Sequence, residues 1–463
     1  MGALRELPAV HTLLGSPALA GALARRGRAA VVEAIRRTLD DARQRLLRGE
    51  AIDGRVEALA AAALAALDRE RPALRPVINA TGVLLHTGLG RSPLAAEAIE
   101  AVATVAKGYC SLEFDLEGGT RGRRADGVAA LLRRLTGAPA AAVVNNNAAA
   151  TILALRALAA GREVIVSRGQ LVEIGGSFRL PEIMEVSGAR LREVGTTNRT
   201  RLADYERAIG PETAALLRIH PSNYRIVGFT EEAGIAELAA LGKARGLWTI
   251  DDIGSGALAP GVPPGVSGEP TVAEGLAAGA DVVLFSGDKL LGGPQCGILV
   301  GTEPAIGRLA NDPLMRAFRV DKLTLAALEA TLRLALDPAR GASHIPLWAR
   351  ITLPLDELES RAAALARALA GSGFAAEVVP TTGAIGGGSA PVLPIASRAV
   401  RLAPPYPGGL ADEGTLAAAL RAGEPAVVAR VAGGAVLLDL RAVAAEELPA
   451  LEAALRAAVV AGG

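Results

Sequence analysis

The sequence predicts an α/β protein with a large, mostly parallel sheet, a helical module before it and a smaller α/β domain after it. Three observations carry this. Short apolar runs alternate with helical patterns from about residue 141 to residue 300, and such alternation implies a parallel sheet with its functional groups at the strand C-termini. Two of those runs empty into charged and small residues, Asp251-Asp-Ile-Gly-Ser-Gly256 and Ser286-Gly-Asp-Lys289. A third, Ala141-Ala-Val-Val144, runs into Asn145-Asn-Asn147 and then a helical stretch from Ile152 to Ala159.

Composition sets the outer limits. A length of 463 residues suits two to four domains, and a hydrophobic fraction of 51% with only 3% aromatics indicates alanine-rich helical layers. No uncharged apolar run approaches the roughly 18 residues that span a bilayer, so no membrane partner is expected. The N-terminus shows no basic segment followed by an apolar one, and the cytoplasm is the expected compartment. Cys110 and Cys296 make neither a disulfide framework nor a metal site, and no metal is expected. With a net charge of +1, a nucleic-acid partner must be met by a local patch; no DNA partner is expected.

Residues 1–75 read as a separate helical module. Val31, Ile35, Leu39 and Leu46 fall near one face, with Arg36, Arg37, Arg43, Arg45 and Arg48 largely off it. The module holds 13 arginines against 9 carboxylates. Such arginines can contact phosphates or form the solvated face of a packed helix, and pattern alone leaves both open. A second helix, roughly Val56 to Asp68, leads to a boundary at Arg75-Pro76.

Val77-Ile-Asn-Ala-Thr-Gly82 reads as a short strand into a turn, followed by His86-Thr-Gly-Leu-Gly-Arg-Ser-Pro93 and a helix that Pro93 can start. Gly88-x-Gly90 lacks the third glycine of a dinucleotide fingerprint, so these glycines are read as shaping a pocket-lining loop. Arg121, Arg123 and Arg124, in a glycine-rich loop, can bind a polyanion or simply be solvated. Further strands are expected at Glu163–Ser167, Arg190–Val194, Ala215–Ile219, Leu247–Asp251, Val282–Phe285 and Ile298–Val300. From about residue 337 a smaller domain follows, with helices at Leu355–Leu369 and Ala445–Val460.

The chemistry centres on Lys289. A lysine between two buried strands loses charge stabilisation, so its pKa falls and its amine becomes a usable nucleophile and base. Schiff-base chemistry, with a carbonyl substrate or with pyridoxal phosphate (PLP), is its commonest use; the plain reading is a lysine snorkelling from a strand end. Asp252 decides between them. PLP is an electron sink only while its pyridine nitrogen stays protonated, and a strand-end carboxylate holds that proton. Asp252 precedes Lys289 by 37 residues, the order seen in fold-type I (aspartate-aminotransferase-like) PLP enzymes. Asp251 points to the other face of its strand. The expected phosphate site is the helix start at Asn147, Ala148 and Ala149, with Ser286 as a second contact; an ordinary Asn-capped helix is the plain alternative. His220 is a candidate hydrogen-bond partner near the ring, or a lone core histidine.

Asn79-Ala-Thr-Gly82, His86–Pro93, Ser167-Arg-Gly-Gln-Leu-Val-Glu-Ile-Gly-Gly176, Val194-Gly-Thr-Thr-Asn-Arg199, Ser222-Asn-Tyr-Arg-Ile-Val-Gly-Phe229 and Phe285-Ser-Gly-Asp-Lys-Leu-Leu-Gly-Gly-Pro-Gln295 together resemble the bacterial selenocysteine synthases, the L-seryl-tRNA(Sec) selenium transferases. Leu4-Arg-Glu-Leu-Pro8, Arg421-Ala-Gly-Glu-Pro425 and Leu437-Leu-Asp-Leu-Arg441 extend the resemblance nearly end to end. It implies a tRNA-binding domain at 1–75, a PLP-binding catalytic domain at 76–336 with the cofactor on Lys289, a small domain at 337–463 and a homodecamer built from dimers. The implied partners are serine-charged tRNA(Sec) and selenophosphate, and the implied reaction makes selenocysteinyl-tRNA(Sec) through an aminoacrylyl-tRNA. Lys289 would take the Cα proton and Asp252 would keep the ring cationic. The family places selenophosphate-binding guanidinium groups at positions matching Arg91, Arg316 and Arg319. Spacing puts Arg316 and Arg319 on one helix face, where without the family they read as surface charges. Gly386-Gly-Gly-Ser389 resembles the family's glycine-rich turn, whereas Ala390-Pro-Val-Leu-Pro394 departs from its pattern. Two other readings stand beside this one: a PLP-dependent β-eliminase or lyase acting on a free amino acid, and a non-catalytic tRNA-binding protein that kept the fold.

Overall fold

The computed structural model describes residues 7–69, 73–174 and 178–462. Leu4, Arg5 and Glu6 of the opening motif and Gly175 and Gly176 of the third lie outside the described residues. The chain forms two compact units, residues 1–76 and 77–463.

The first unit is built from helices Val10–Leu14, Pro17–Leu47 and Val56–Arg69. The long helix is interrupted at Gly27, whose φ of 78° and ψ of 160° are open to a residue without Cβ. Leu19, Val31, Ile35 and Leu39 close onto Leu59, Ala63 and Leu67, so the unit has its own core. Ala42 is buried one turn before Leu46, which is only partly covered. Arg43 pairs with Asp40, and Arg45 and Arg48 pair with Glu50. Arg28 and Arg36 flank a shallow groove that also holds Glu33.

Strands of the second unit are numbered along the chain: β1 (Val77–Ala80), the short pair β2 (Phe114–Asp115) and β3 (Thr120–Arg121), β4 (Ala140–Val144), β5 (Glu163–Ser167), the short pair β6 (Glu173–Ile174) and β7 (Phe178–Arg179), β8 (Arg190–Val194), β9 (Thr213–Ile219), β10 (Trp248–Gly254), β11 (Val282–Ser286), β12 (Gly297–Gly301), β13 (Ala375–Gly386), β14 (Ser389–Ala403), β15 (Ala426–Ala432) and β16 (Ala435–Asp439). Seven of them form one sheet in the order β4-β12-β11-β10-β9-β5-β8. Only β12 runs antiparallel to its neighbours there, so the C-termini of the other six share an edge.

Every residue of β11 and β12 is buried, as expected for central strands covered on both faces. Val282 and Leu284 pack with helix Asn147–Ala159 on one side; Val283 and Phe285 pack with Leu328, Leu332 and Trp348 on the other. This two-residue period through the sheet is what aims alternate side chains at the two layers.

The five-stranded sheet, in the order β1-β15-β16-β14-β13, takes its edge from β1. Val77 pairs with Ala426 and Ala80 with Ala429 in parallel register, so the segment from Pro76 feeds the small sheet before the large one, which differs from a catalytic domain continuous over 76–336. The cause is apolar: Ile78 and Ala80 complete a core with Val427, Leu438, Leu365 and Leu451. The turn after β1 needs a glycine, because a Cβ at Gly82 (φ 78°) would lie 2.6 Å from the Asp439 carboxylate. The β13–β14 hairpin brings Gly386-Gly-Gly-Ser389 back over the large sheet, and its tip lies against Leu85 and Ser222. Among the described residues no helix is long and apolar enough to cross a membrane.

Candidate active site

The shared edge of the large sheet gathers the sequence-predicted residues. Asp251 and Asp252 leave β10 on opposite faces. Asp251 pairs with Arg218, Nε to Oδ1 at 3.2 Å, away from the cavity, and Asp252 faces into it. Three donors hold Asp252: the Asn147 Nδ2 amide at 3.0 Å, the Thr151 hydroxyl at 3.2 Å and the Gly254 N–H at 3.1 Å. Burial raises its carboxyl above the usual range, against the pull of Asn147, of the Lys289 charge and of Thr151.

Lys289 sits in a closed loop. Gly287 N–H donates to Cys296 O, Leu290 N–H to Ser255 O and Gly292 N–H to Lys289 O, each at 2.9 Å. The Trp348 indole fastens the loop from behind, donating to Leu290 O at 2.8 Å. A Cβ on Gly287 would lie 2.4 Å from Cys296 Sγ, so the tight closure requires glycine there. Lys289 is 5% exposed. Burial depresses its amine first and the Arg91 guanidinium depresses it further; Asp252, Asp288 and Glu269 offset this only in part. Arg91, at φ 63° just after Gly90, donates through Nη1 to Asp288 Oδ2 at 2.8 Å.

Arg91, Asn147, Ala148, His220, Asp252, Ser286 and Lys289 all line one cavity of about 300 Å³. Ala149, assigned to the phosphate from sequence, does not line it: Asn146 caps the helix and accepts the Ala149 N–H at 2.9 Å. The capping pattern was visible in sequence, but which asparagine served as the cap was not. By their position, the N–H groups of Asn147 and Ala148 have no intrahelical acceptor and remain for an anion. His220 donates its backbone N–H to Asp252 O at 2.9 Å, and its Nε2 lies 3.5 Å from Glu269 Oε1. Burial pushes the Glu269 carboxyl up, but His220 and the Ala390 N–H help hold it below the usual range.

Arg316 and Arg319 do not line the cavity. The helix ends at Phe318 and Arg319 follows with an extended ψ of 140°, so the expected common helix face does not form. The Phe318 carbonyl accepts from Asn145 N–H at 2.9 Å, which draws the chain out of the helix. Arg316 is exposed; Arg319 lies 3.7 Å from Glu113. Glu113 also holds Arg121 and Arg124, so the glycine-rich loop is tied by ion pairs.

The residues fit PLP. Asp252 is a buried carboxylate with a raised pKa, the state that a protonated pyridine nitrogen relieves. Asn147 Oδ1 is buried without a hydrogen-bond partner. Gly254, at φ 62°, lies beside both groups: a Cβ there would be in ordinary contact, 3.9 Å, with Asp252 Oδ1 and with Lys289 Nζ.

The model of the family described as L-seryl-tRNA selenium transferase matches residues 77–444, and that described as selenocysteine synthase N terminal matches residues 4–43. The chain belongs to the L-seryl-tRNA selenium transferase family. A Moorella thermoacetica protein named L-seryl-tRNA(Sec) selenium transferase is 50% identical over 452 residues, covering 95% of this chain and 93% of that one. One of the same name from Desulfomicrobium baculatum is 48% identical over 462 residues, covering 98% of each. A solved D-glucosaminate-6-phosphate ammonia-lyase superposes with a TM-score of 0.59 at 23% identity, spanning 84% of this chain and 97% of that one. Its likeness is one of fold, and the architecture is fold-type I. As a member of the L-seryl-tRNA selenium transferase family, the chain uses PLP. Sequence reasoning missed Thr151 at this site and Glu269 behind His220. Thr151 was within reach, one helical turn after Asn147 on the same face; nothing local marked Glu269.

Proposed function

We propose that this chain converts L-seryl-tRNA(Sec) to L-selenocysteinyl-tRNA(Sec), taking selenium from selenophosphate. The observation that carries the reading is the meeting of Asp252 and Lys289 in one cavity of a chain from this family. PLP, when bound, supplies an electron sink for negative charge developing at the serine Cα.

The protein's residues do the rest. Lys289, its amine depressed by burial, is available in neutral form to hold the cofactor and to take the Cα proton. Asp252, fixed by Asn147, Thr151 and Gly254, keeps the proton on the ring nitrogen. Ser286 and the N–H groups of Asn147 and Ala148 are the phosphate contacts. Because the serine carboxylate is esterified to tRNA, no arginine is needed to clamp it. Arg91, braced by Asp288, is then free for the selenophosphate anion. Arg316 and Arg319 serve that anion in an oligomer, the expected decamer, that carries them to a cavity; exposed Ile99, Tyr109, Phe114 and Leu116 support association of copies. Arginines of the first unit meet tRNA phosphates, and the cytoplasm is the proposed compartment.

The test supplies PLP-loaded protein with labelled selenophosphate and either seryl-tRNA(Sec) or free serine. Label should enter the tRNA-linked amino acid alone. Elimination from free serine without any labelled tRNA would replace this reading with that of a small-molecule lyase.

A further inference from the structure

A second cavity, of about 590 Å³, borders the first and shares His220 with it. Its size falls within the roughly 300–1,000 Å³ of small-molecule and cofactor sites. Gln170, Asn198, Arg199, Tyr224 and Arg225 line it, and none of them has a part in the chemistry above.

Its charges are unevenly satisfied. Glu231 pairs with Arg201, Glu232 accepts from Gln170, and Glu269 is held by His220 and Ala390. Arg199 spends its Nε on the Phe229 carbonyl at 3.2 Å, and Arg225 makes no hydrogen bond or ion pair among the described residues. The guanidinium groups of Arg199 and Arg225 are left to meet an anionic group of a ligand, with Glu232, held only by a neutral amide, as the opposing charge in the wall. Aromatic side chains are concentrated here as well. The whole chain has six Phe, four Tyr and two Trp, yet Tyr224 lines this cavity and Phe229 follows five residues later, next to the lining residue Thr230. The Tyr224 hydroxyl donates to Gly169 O, fixing its ring in the wall, and Phe229 is 84% exposed. Aromatic rings beside unpaired arginines are the makeup of sites for single-stranded nucleic acid.

Connectivity supplies the remaining step. In the substrate, serine is joined by one ester to the terminal ribose, so when its Cα reaches Lys289 the terminal nucleoside lies only a few bonds away. Two cavities share His220 with the first, and this is the one lined by Tyr224, Arg199 and Arg225. We propose that it takes the 3′-terminal adenosine of the aminoacyl-tRNA, the base on the Tyr224 ring and the phosphate at Arg199 and Arg225, with Phe229 stacking the preceding base. The inference rests on the tRNA-linked substrate proposed above.

The test uses full-length PLP-loaded protein, its Tyr224→Ala and Arg225→Ala variants, and AMP as probe. Both variants should keep the wild-type cofactor absorbance and lose about tenfold in kcat/KM for seryl-tRNA(Sec), mainly through KM. AMP should compete with the tRNA in wild type and bind each variant about tenfold more weakly by equilibrium dialysis. Variants with wild-type KM and wild-type AMP binding would overturn the proposal even if selenium transfer is intact. AMP binding that depends on Tyr224 and Arg225 in a protein that transfers no selenium would uphold the site and remove the reaction.

Discussion

Asn147 and Asp252 are 105 residues apart in sequence, and the Asn147 side-chain amide donates to Asp252 Oδ1 at 3.0 Å. The bond ties the first turn of the helix proposed for the cofactor phosphate to the carboxylate proposed for its ring nitrogen. One side chain would thus register the two ends of a bound cofactor against each other.

Replacing Asn147 by Leu removes a donor that favours the Asp252 anion, so that carboxyl moves further above its ordinary range. PLP affinity should fall about tenfold, the scale of one lost hydrogen bond to a charged group. Asp252→Asn, which removes the charge itself, should cost at least about a hundredfold in transfer rate. Absorbance titration with PLP checks the first figure; unchanged affinity in Asn147→Leu would show the bond to be incidental.

The Arg91 charge adds to burial in depressing Lys289. Its removal in Arg91→Ala must let the Lys289 pKa rise, leaving less neutral amine at a given pH. The pH profile of cofactor attachment, followed by absorbance, should therefore shift toward alkaline pH. A shift toward acid would contradict this electrostatic arrangement.

Asp251 provides a second titration. Burial, against the pull of Arg218, pushes its carboxyl up to about 6. The folded protein then binds more protons than the unfolded chain between about pH 4 and pH 6, so this group's contribution to stability declines as pH rises through that window. Asp251→Asn lacks the effect. Relative to that variant, wild type should lose on the order of 2–3 kcal/mol between pH 4 and pH 7 in denaturant titrations. A difference that stays flat with pH would mean that Asp251 ionises normally.

The strand ends bearing Asp252 and Lys289 were legible because each motif is local: an apolar run fixes the strand, and the charged residues follow within a few positions. The contacts that complete the site were less so. Asn147 was read as a phosphate contact because nothing near it in sequence points to a carboxylate 105 residues on. Arg319 was placed on a helix that stops one residue earlier, where Phe318 O is taken by Asn145. Val77–Ala80 looked like the first strand of the large domain and instead pairs with Ala426–Ala432, a choice made by a core assembled some 350 residues away.

The closed lysine loop has a chemical signature. Cys296 is fully buried behind it and burial pushes its thiol far up, whereas Cys110 is exposed. Alkylation at pH 8 should modify one thiol in the native protein and two in denaturant. Rapid labelling of Cys296 without unfolding would mean that the loop opens.

The most direct measurement is to reduce the PLP-loaded protein with borohydride, digest it and locate the pyridoxyl group by mass spectrometry. It should be found on the peptide containing Lys289, and Lys289→Ala should carry none. A pyridoxyl group on any other lysine, or one retained in Lys289→Ala, would contradict the assignment from which the rest of the account follows.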